Sequence, residues 1–324
     1  MRIKALSVIV GLTVSTLAFA ATTPKDEFFW LSQINKASLV LNSQEGLLKP
    51  DVSKKIAAGI QHVINAGDKE GGARPSRVIK YEPLLIKAAG MDATMLHVGR
   101  SSQDMHATYY SAIMRDNVLR LSSQLSTTME LLNKLAKANE DTIVPNYTNG
   151  VAAQPNSYAH YLQGLLAGFK RDSKRLQEFY VRLNLCPMGT TVLNGTSWPL
   201  NRDKMAHYLG FAGLVEDAYD ASQIKPVDEP IELSAILTSI ALHVGTFVQD
   251  LSVQYAQPRP WILLQEGGDN TYVSSAMPQK RNPGLMIGVR EAASNVIGEA
   301  QGSVFRAHNI IPGMIDPKRV PANT

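Results

Sequence analysis

Ten residues near the C-terminal end concentrate the chemistry-bearing types: Ser274, Ser275, Ala276, Met277, Pro278, Gln279, Lys280, Arg281, Asn282 and Pro283. Two serines, a glutamine, two cations and an asparagine stand between a stretch containing Gly267, Gly268, Asp269 and Asn270 and a proline of the kind tolerated in the first turn of a helix. Such a loop can close over an anion, because backbone N–H groups, Lys280 and a helix N-terminus all favour negative charge. On composition alone, an ordinary polar surface loop explains the same residues. Two further polar segments, Leu96 to Asp104 and Pro145 to Pro155, lie far from it along the chain.

The elements that must position these segments read as long helices. From Arg100 to Asp141 there is neither Gly nor Pro. Met114, Val118, Leu121, Leu125, Thr128, Leu132 and Leu135 alternate steps of four and three, the seam of an amphipathic helix. A second seam runs Leu162, Leu165, Phe169, Asp172, Leu176, Phe179 and Leu183, with Asp172 its polar exception. A third runs Leu233, Leu237, Ile240, Val244, Phe247 and Leu251, after a stop at Pro230. A fourth helix is expected after Pro283. Gly164 and Gly168 would allow a close crossing between subunits, or tolerate crowding within one chain. Shorter helices are expected at Ser32–Asn42, Asp51–Ala66 and Glu82–Ala89, joined by the polar connector Gly67–Ile79. No alternating strand pattern of useful length is present, so the predicted fold is all-α, built on a long-helix bundle. The expected division is a signal peptide over 1–20, a small N-terminal helical domain over 21–108 and a central long-helix domain over 109–324.

Composition narrows the function classes. The 324 residues allow about two domains. A net charge of +4, from 32 basic and 28 acidic residues, is too small and scattered to point to nucleic acid. The single cysteine, Cys186, forms no intrachain disulfide and no multi-thiolate metal site. At the N-terminus, Arg2 and Lys4 precede an apolar run from Ala5 to Phe19 and the small-x-small triplet Ala18-Phe19-Ala20. That order is a secretory signal with cleavage after Ala20, so the mature chain is expected to be free of the membrane and, in a bacterium, periplasmic.

The full string from Ser274 to Pro283 resembles the signature loop of the argininosuccinate lyase, aspartase and fumarase superfamily: two serines followed by Met-Pro-x-Lys-x-Asn-Pro. The form ending Gln279-Lys280-Arg281-Asn282-Pro283 looks most like the argininosuccinate lyase branch, although Val273 stands where the family has glycine. His97-Val98-Gly99-Arg100-Ser101-Ser102-Gln103-Asp104 is similar to that branch's His-x-Gly-Arg-Ser-x-(Asn/Gln)-Asp segment. Tyr147-Thr148-Asn149-Gly150-Val151-Ala152-Ala153-Gln154-Pro155 is similar to its Tyr-Thr-His-x-Gln-x-Ala-Gln-Pro segment. The resemblance runs from about Asn35 to about Arg306 and includes Gly195-Thr196-Ser197-Trp198-Pro199-Leu200-Asn201-Arg202.

The resemblance implies a lyase that releases fumarate from an amino-acid adduct, with no metal or organic cofactor. It makes Ser274 the base, as its oxyanion, with Lys280 the cation of the catalytic loop. Lys280 and Asn282, with Gln279 between the serines and the cation, would hold carboxylates. Arg100, Ser101, Gln103, Thr148 and Asn149 would position the substrate, Arg100 by a bidentate carboxylate pair. It also implies a homotetramer whose sites each combine the three segments from three subunits. Two departures stand out. Asn149 replaces the histidine to which the family assigns proton transfer, and an amide is no titrating acid near neutral pH. His160, eleven residues on, would be roughly 16 Å away if the chain between were helical. Water held by Asn149, or departure of a guanidinium as neutral guanidine, could replace the acid. Secondly, the chain stops at Thr324 without the further long helix and C-terminal domain of argininosuccinate lyases. Alternative readings are the same fold acting on another dicarboxylate, favoured by export, and a non-catalytic oligomeric remnant.

Overall fold

A computed structural model describes residues 25–308. The signal segment expected over 1–20 and the tail after His308 lie outside the described residues. Helices dominate: α1 (Glu27–Gln44), α2 (Pro50–Gly67), α3 (Val78–Ala89), a 3₁₀ turn at Met91–His97, then α4 (Ser102–Lys137). A hairpin of β1 (Ile143–Thr148) and β2 (Val151–Ser157) leads into α5 (Tyr158–Leu183). Next come β3 (Leu185–Cys186), α6 (Arg202–Tyr208) and β4 (Gly213–Leu214). A π turn at Asp220–Ile224 then enters α7 (Lys225–Tyr255), and the two-residue strands β5 (Tyr272–Val273) and β6 (Arg281–Asn282) precede α8 (Gly284–Ala307).

Hydrogen bonds fix the packing directions. Gln163 donates to Asn133 (3.2 Å) and Arg115 to Asn184 (2.9 Å), so α5 runs antiparallel to α4. Tyr161 donates to Asp250 (2.5 Å) at one end of the α5–α7 pair, and Arg182 pairs with Glu232 at the other. Ser252, near the end of α7, reaches Met286 at the start of α8. The expected seams of α4 and α5 are the ones buried: Met114, Val118, Leu125 and Leu132 face Leu162, Phe169, Leu176, Phe179 and Leu183. Asp172, the polar exception, is fully buried and satisfied. Its carboxylate accepts from Arg175 (2.6 Å) and Ser239 (2.7 Å) and lies 2.6 Å from His243 Nδ1. Of the two glycines, only Gly168 is crowded, against the His243 ring; Gly164 faces open space.

Three expectations change. The Asn149-Gly150 pair, at φ 51° and 78°, is the two-residue turn of a hairpin, so strands do occur. β2 is largely exposed and β1 mostly half-buried, with Pro145 opposite Pro155, so neither shows the apolar alternation that would have announced them. Pro230 does not stop the third helix; it lies inside α7, whose first turns are clamped from outside. There Lys225 pairs with Glu229, donates to Arg182 O (3.1 Å), and Glu229 accepts from Ser111 (2.9 Å). Finally, the first core crosses residue 108: α1–α3 and the start of α4 pack with Cys186, Met188, Met205, Leu209 and Phe211, far along the chain.

Two clusters within this frame yield measurable expectations. Arg115 lies buried between the cores, donating to Asn184 Oδ1, Gly210 O (2.7 Å) and Leu209 O (3.4 Å), with its guanidinium over Phe211. Arg115→Ala leaves those acceptors dry and is expected to cost about 3 kcal/mol in urea unfolding; a loss below about 1 kcal/mol would contradict that role. Burial pushes the Glu229 carboxyl up to about 7, against the opposing pull of Lys225 and Ser111. Its folded value lies above its ordinary 4.5, so the neutral form is the one favoured in the fold. Stability from this group is therefore full below about pH 4.5 and is lost as pH rises towards about 7. Between those limits wild type should lose stability relative to Glu229→Gln, by up to about 3 kcal/mol. Parallel pH curves for the two proteins would sink this assignment.

Candidate active site

The Ser274 loop is shaped by its own backbone. β5 and β6 pair Tyr272 with Asn282 and Val273 with Arg281, and Ser274 N donates to Lys280 O at 3.2 Å, closing the loop at its base. Met277 N donates to Ser274 Oγ at 3.2 Å, and Lys280 N to Met277 O at 2.9 Å. Arg281 faces away, donating to Pro278 O (2.6 Å) and Glu266 (3.1 Å), while its carbonyl accepts from Tyr255 on α7 (3.3 Å). Asn282 Nδ2 donates to Tyr272 O (3.4 Å). Gln279 and Lys280 are exposed, Lys280 at the loop's base next to β6, and the Lys280 ammonium has no partner among the described residues. A hydroxyl oxygen that already accepts an N–H is easier to ionise. The loop thus carries a serine oxygen that accepts one backbone N–H and, at its other end, an unpaired ammonium.

The second segment sits at the start of α4. Ser101 is its N-cap, with Gln103 N to Ser101 Oγ at 3.4 Å and Asp104 closing a capping box on Ser101 N at 2.7 Å. Arg100 behaves differently from the expected carboxylate clamp. It is only 7% exposed; Nη1 donates to Ser38 (2.8 Å) and Nη2 to Asn35 (2.7 Å), both on α1. Burial lowers its pKa to about 10, opposed by the negative charges of Asp104 and Glu82. Its Nε is buried without a partner, at a cavity of about 10 Å³, room for about one water. In the single chain, Arg100 ties the segment before α4 to α1, while Ser101 and Gln103 stand at the helix start.

The third segment is the hairpin. Thr148 and Asn149 lie exposed at its tip, and the left-handed conformation of Asn149 explains an asparagine there. His160 stays at the hairpin's base, 2.8 Å from Asn156, whose amide donates to Asn146 (3.0 Å). The strand from Val151 to Ser157 spans roughly 20 Å, so His160 does not reach the tip.

The three segments do not meet within one chain. Arg100 to Gln103 stand at the N-terminal end of α4, whose 36 residues are roughly 54 Å long, and the hairpin follows its C-terminal end. The Ser274 loop shares the hairpin's end of the bundle, because Trp261, bonded to Gln254 on α7 (2.9 Å), packs on Tyr158 and Tyr161. Sequence reasoning passed over Asp104 as a structural centre; the Ser-x-x-Asp spacing at the start of a helix was the available signal. No group of three His, Cys, Asp or Glu side chains suited to a metal occurs among the described residues.

Residues 51–298, most of the chain, match the family described as lyase. The chain belongs to the lyase family. Within it, the chain is an argininosuccinate lyase-like member of the fumarase/aspartase superfamily. It is 35% identical over 221 residues to argininosuccinate lyase of Acetivibrio thermocellus, covering 68% of this chain and 47% of that protein. It is 32% identical over 260 residues to the Oceanobacillus iheyensis protein of that name, covering 79% and 56%. This lyase-family chain thus spans about half the length of the curated relatives it matches. Among solved structures, EDDS lyase in complex with formate superposes with a TM-score of 0.81 at 27% identity, over 90% of this chain and 60% of that one. A class II fumarase from Schistosoma mansoni, at 15% identity and TM-score 0.71 over 92% and 71%, shares the fold.

Proposed function

We propose that this protein is a carbon–nitrogen lyase that eliminates fumarate from argininosuccinate or a related N-substituted aspartate. The observation that carries the reading is the closed Ser274 loop, with an N–H on the serine oxygen and Lys280 unpaired. The similarity to proteins named argininosuccinate lyase, and to an EDDS lyase variant with bound fumarate, supports it.

In this reading Ser274, as its oxyanion, removes a proton from the carbon beside a carboxylate, anti to the leaving nitrogen. The carbanion's charge passes into that carboxylate, and Lys280 and Asn282 hold the doubly negative group. Gln279, Ser101, Gln103 and Thr148 position the rest, and Arg100 keeps the α4 segment in place. Asn149 gives up no proton of its own; a water at the turn, or departure of the nitrogen as neutral guanidine, completes the C–N cleavage.

The spread of the three segments over both ends of the bundle supports sites shared between subunits of a homotetramer. A groove of about 890 Å³ between α5, α7 and α8, lined by Gly164, Leu242, Val253, Ala293 and Ile297, is where a second copy would seat. We propose further that the segment before Ala21 is a cleaved signal and that the protein works in the periplasm. Export fits poorly with arginine biosynthesis and favours a different N-substituted aspartate as the physiological substrate. The second reading, a non-catalytic oligomer, is favoured by one observation, the asparagine in the turn where the family has an acid. Purified protein beginning at Ala21, given argininosuccinate, other N-substituted aspartates and aspartate, decides between them. Fumarate appearing by ultraviolet absorbance supports the lyase; none from a well-folded tetramer supports the second reading.

A further inference from the structure

Asp104 is the most heavily engaged buried carboxylate among the described residues, and nothing so far gives it a functional role. Its side chain is 0% exposed. Oδ1 accepts from Ser101 N at 2.7 Å, and Oδ2 accepts from three successive amides, Gly189 (3.1 Å), Thr190 (3.0 Å) and Thr191 (3.2 Å). The chain curls its amides inward by taking left-handed conformations at Gly189 (φ 86°), Thr191 (φ 50°) and Val192 (φ 78°). Two of these are β-branched, for which such a φ is strained by about 1–3 kcal/mol each. The same segment is tied to the π turn before α7 by Thr190 Oγ1 and Ser222 Oγ, 2.8 Å apart. Beyond it, Thr196 and Leu200 press on Gly99 so closely that a Cβ there would force the Leu200 side chain to move.

One carboxylate therefore joins a strained segment to the Arg100–Gln103 stretch at the start of α4. It caps the helix that presents Ser101 and Gln103, and its negative charge compensates the buried Arg100, whose own polar partners are neutral. We propose that Asp104 is a positioning residue for dicarboxylate binding: it holds the Arg100–Gln103 segment in register against Gly189–Val192, and so sets affinity for the substrate's carboxylates without entering the bond-breaking step. The proposal rests on the lyase reading for the identity of the substrate, but binding of a dicarboxylate is measurable without turnover. Burial raises the Asp104 pKa above its ordinary value, against the pull of the Ser101, Thr191 and Thr190 amides and of the Arg100 charge, all of which favour the ionised carboxylate. An amide cannot replace it, since Asn presents an NH₂ to either Ser101 N or the three amides of the segment.

The test is Asp104→Asn, compared with wild type by fumarate release, by calorimetric binding of succinate, and by hydrogen exchange at Thr190 and Thr191. The expected result is a KM raised about tenfold or more with kcat within about threefold, a matching loss of succinate affinity, and faster exchange at both amides. Faster exchange with KM and succinate affinity unchanged would overturn the proposal and leave Asp104 a structural tie. A fall in kcat with KM and succinate affinity unchanged would overturn it too. If wild type releases no fumarate from any adduct, the lyase reading fails and the succinate arm decides alone: wild type that binds while the variant does not upholds Asp104, and wild type that fails to bind overturns it. Should Asp104→Asn fold poorly, the same measurements are made with Thr191→Gly and Val192→Gly added, which relieves the strained segment, against the double glycine protein as its control.

Discussion

Ser274→Ala is expected to lower kcat for fumarate release by about 10³-fold while leaving KM nearly unchanged. The asymmetry follows from the loop. Met277 N meets only the Ser274 oxygen, and Lys280 is carried by backbone bonds between Ser274 N and Lys280 O and between Lys280 N and Met277 O. None of the carboxylate-holding groups depends on the Ser274 hydroxyl. Its removal deletes the base and leaves the cation, the Asn282 amide and the α4 segment in place. Stopped-flow absorbance with saturating adduct measures the loss, and calorimetric titration with succinate checks that binding survives. A drop of less than about tenfold would mean that another group takes the proton. Ser275 would then be the neighbour to replace first.

Leu242→Asp is expected to dissociate the proposed tetramer and to abolish activity with it. α7 supplies the most apolar stretch among the described residues, long enough by composition to cross a membrane, yet only 22% of that stretch is buried in the single chain. Leu242 is 52% exposed on the wall of the groove between α5, α7 and α8. An ionised carboxylate sealed there costs several kcal/mol per subunit, and symmetry repeats the penalty at every copy of the contact. Sedimentation velocity should show one chain per particle for the variant and four for wild type. Lost turnover with the core intact by circular dichroism would trace activity to the contact between copies. An active monomer, of either protein, would remove the argument for shared sites.

What could be read directly from the residues was whatever repeats every three or four positions. The α4 and α5 seams are buried as the spacing requires, down to the polar exception at Asp172, and α8 starts where Pro283 said it should. The loop strings around Ser274, Arg100 and Thr148 were legible because each is a dense order of unlike residues that helical patterning would not produce. Other features depend on contacts distant in sequence. The hairpin around Asn149-Gly150 was hidden because neither strand carries an apolar alternation, though the Asn-Gly pair was the available sign. Pro230 lies inside α7 because Lys225 and Glu229 are held from α5 and α4. The inward turn of Arg100 needs Asn35 and Ser38, more than sixty residues earlier. No local pattern announces that Cys186 to Phe211 complete the first core.

That last contact makes Cys186 a clock for the molecule. The thiol is 1% exposed in the first core, and burial pushes its pKa up to about 12. Neither its thiolate form nor its sulfur surface is available to an oxidant or an alkylating reagent while α1–α3 stay docked. Labelling by a maleimide therefore proceeds only through opening of that core, and its rate at low reagent measures how often the opening occurs. In an oxidising compartment the same shielding draws a line in time: the chain is open to intermolecular cross-linking before it folds and closed to it afterwards. Covalent dimers in a preparation would thus count molecules that met while unfolded.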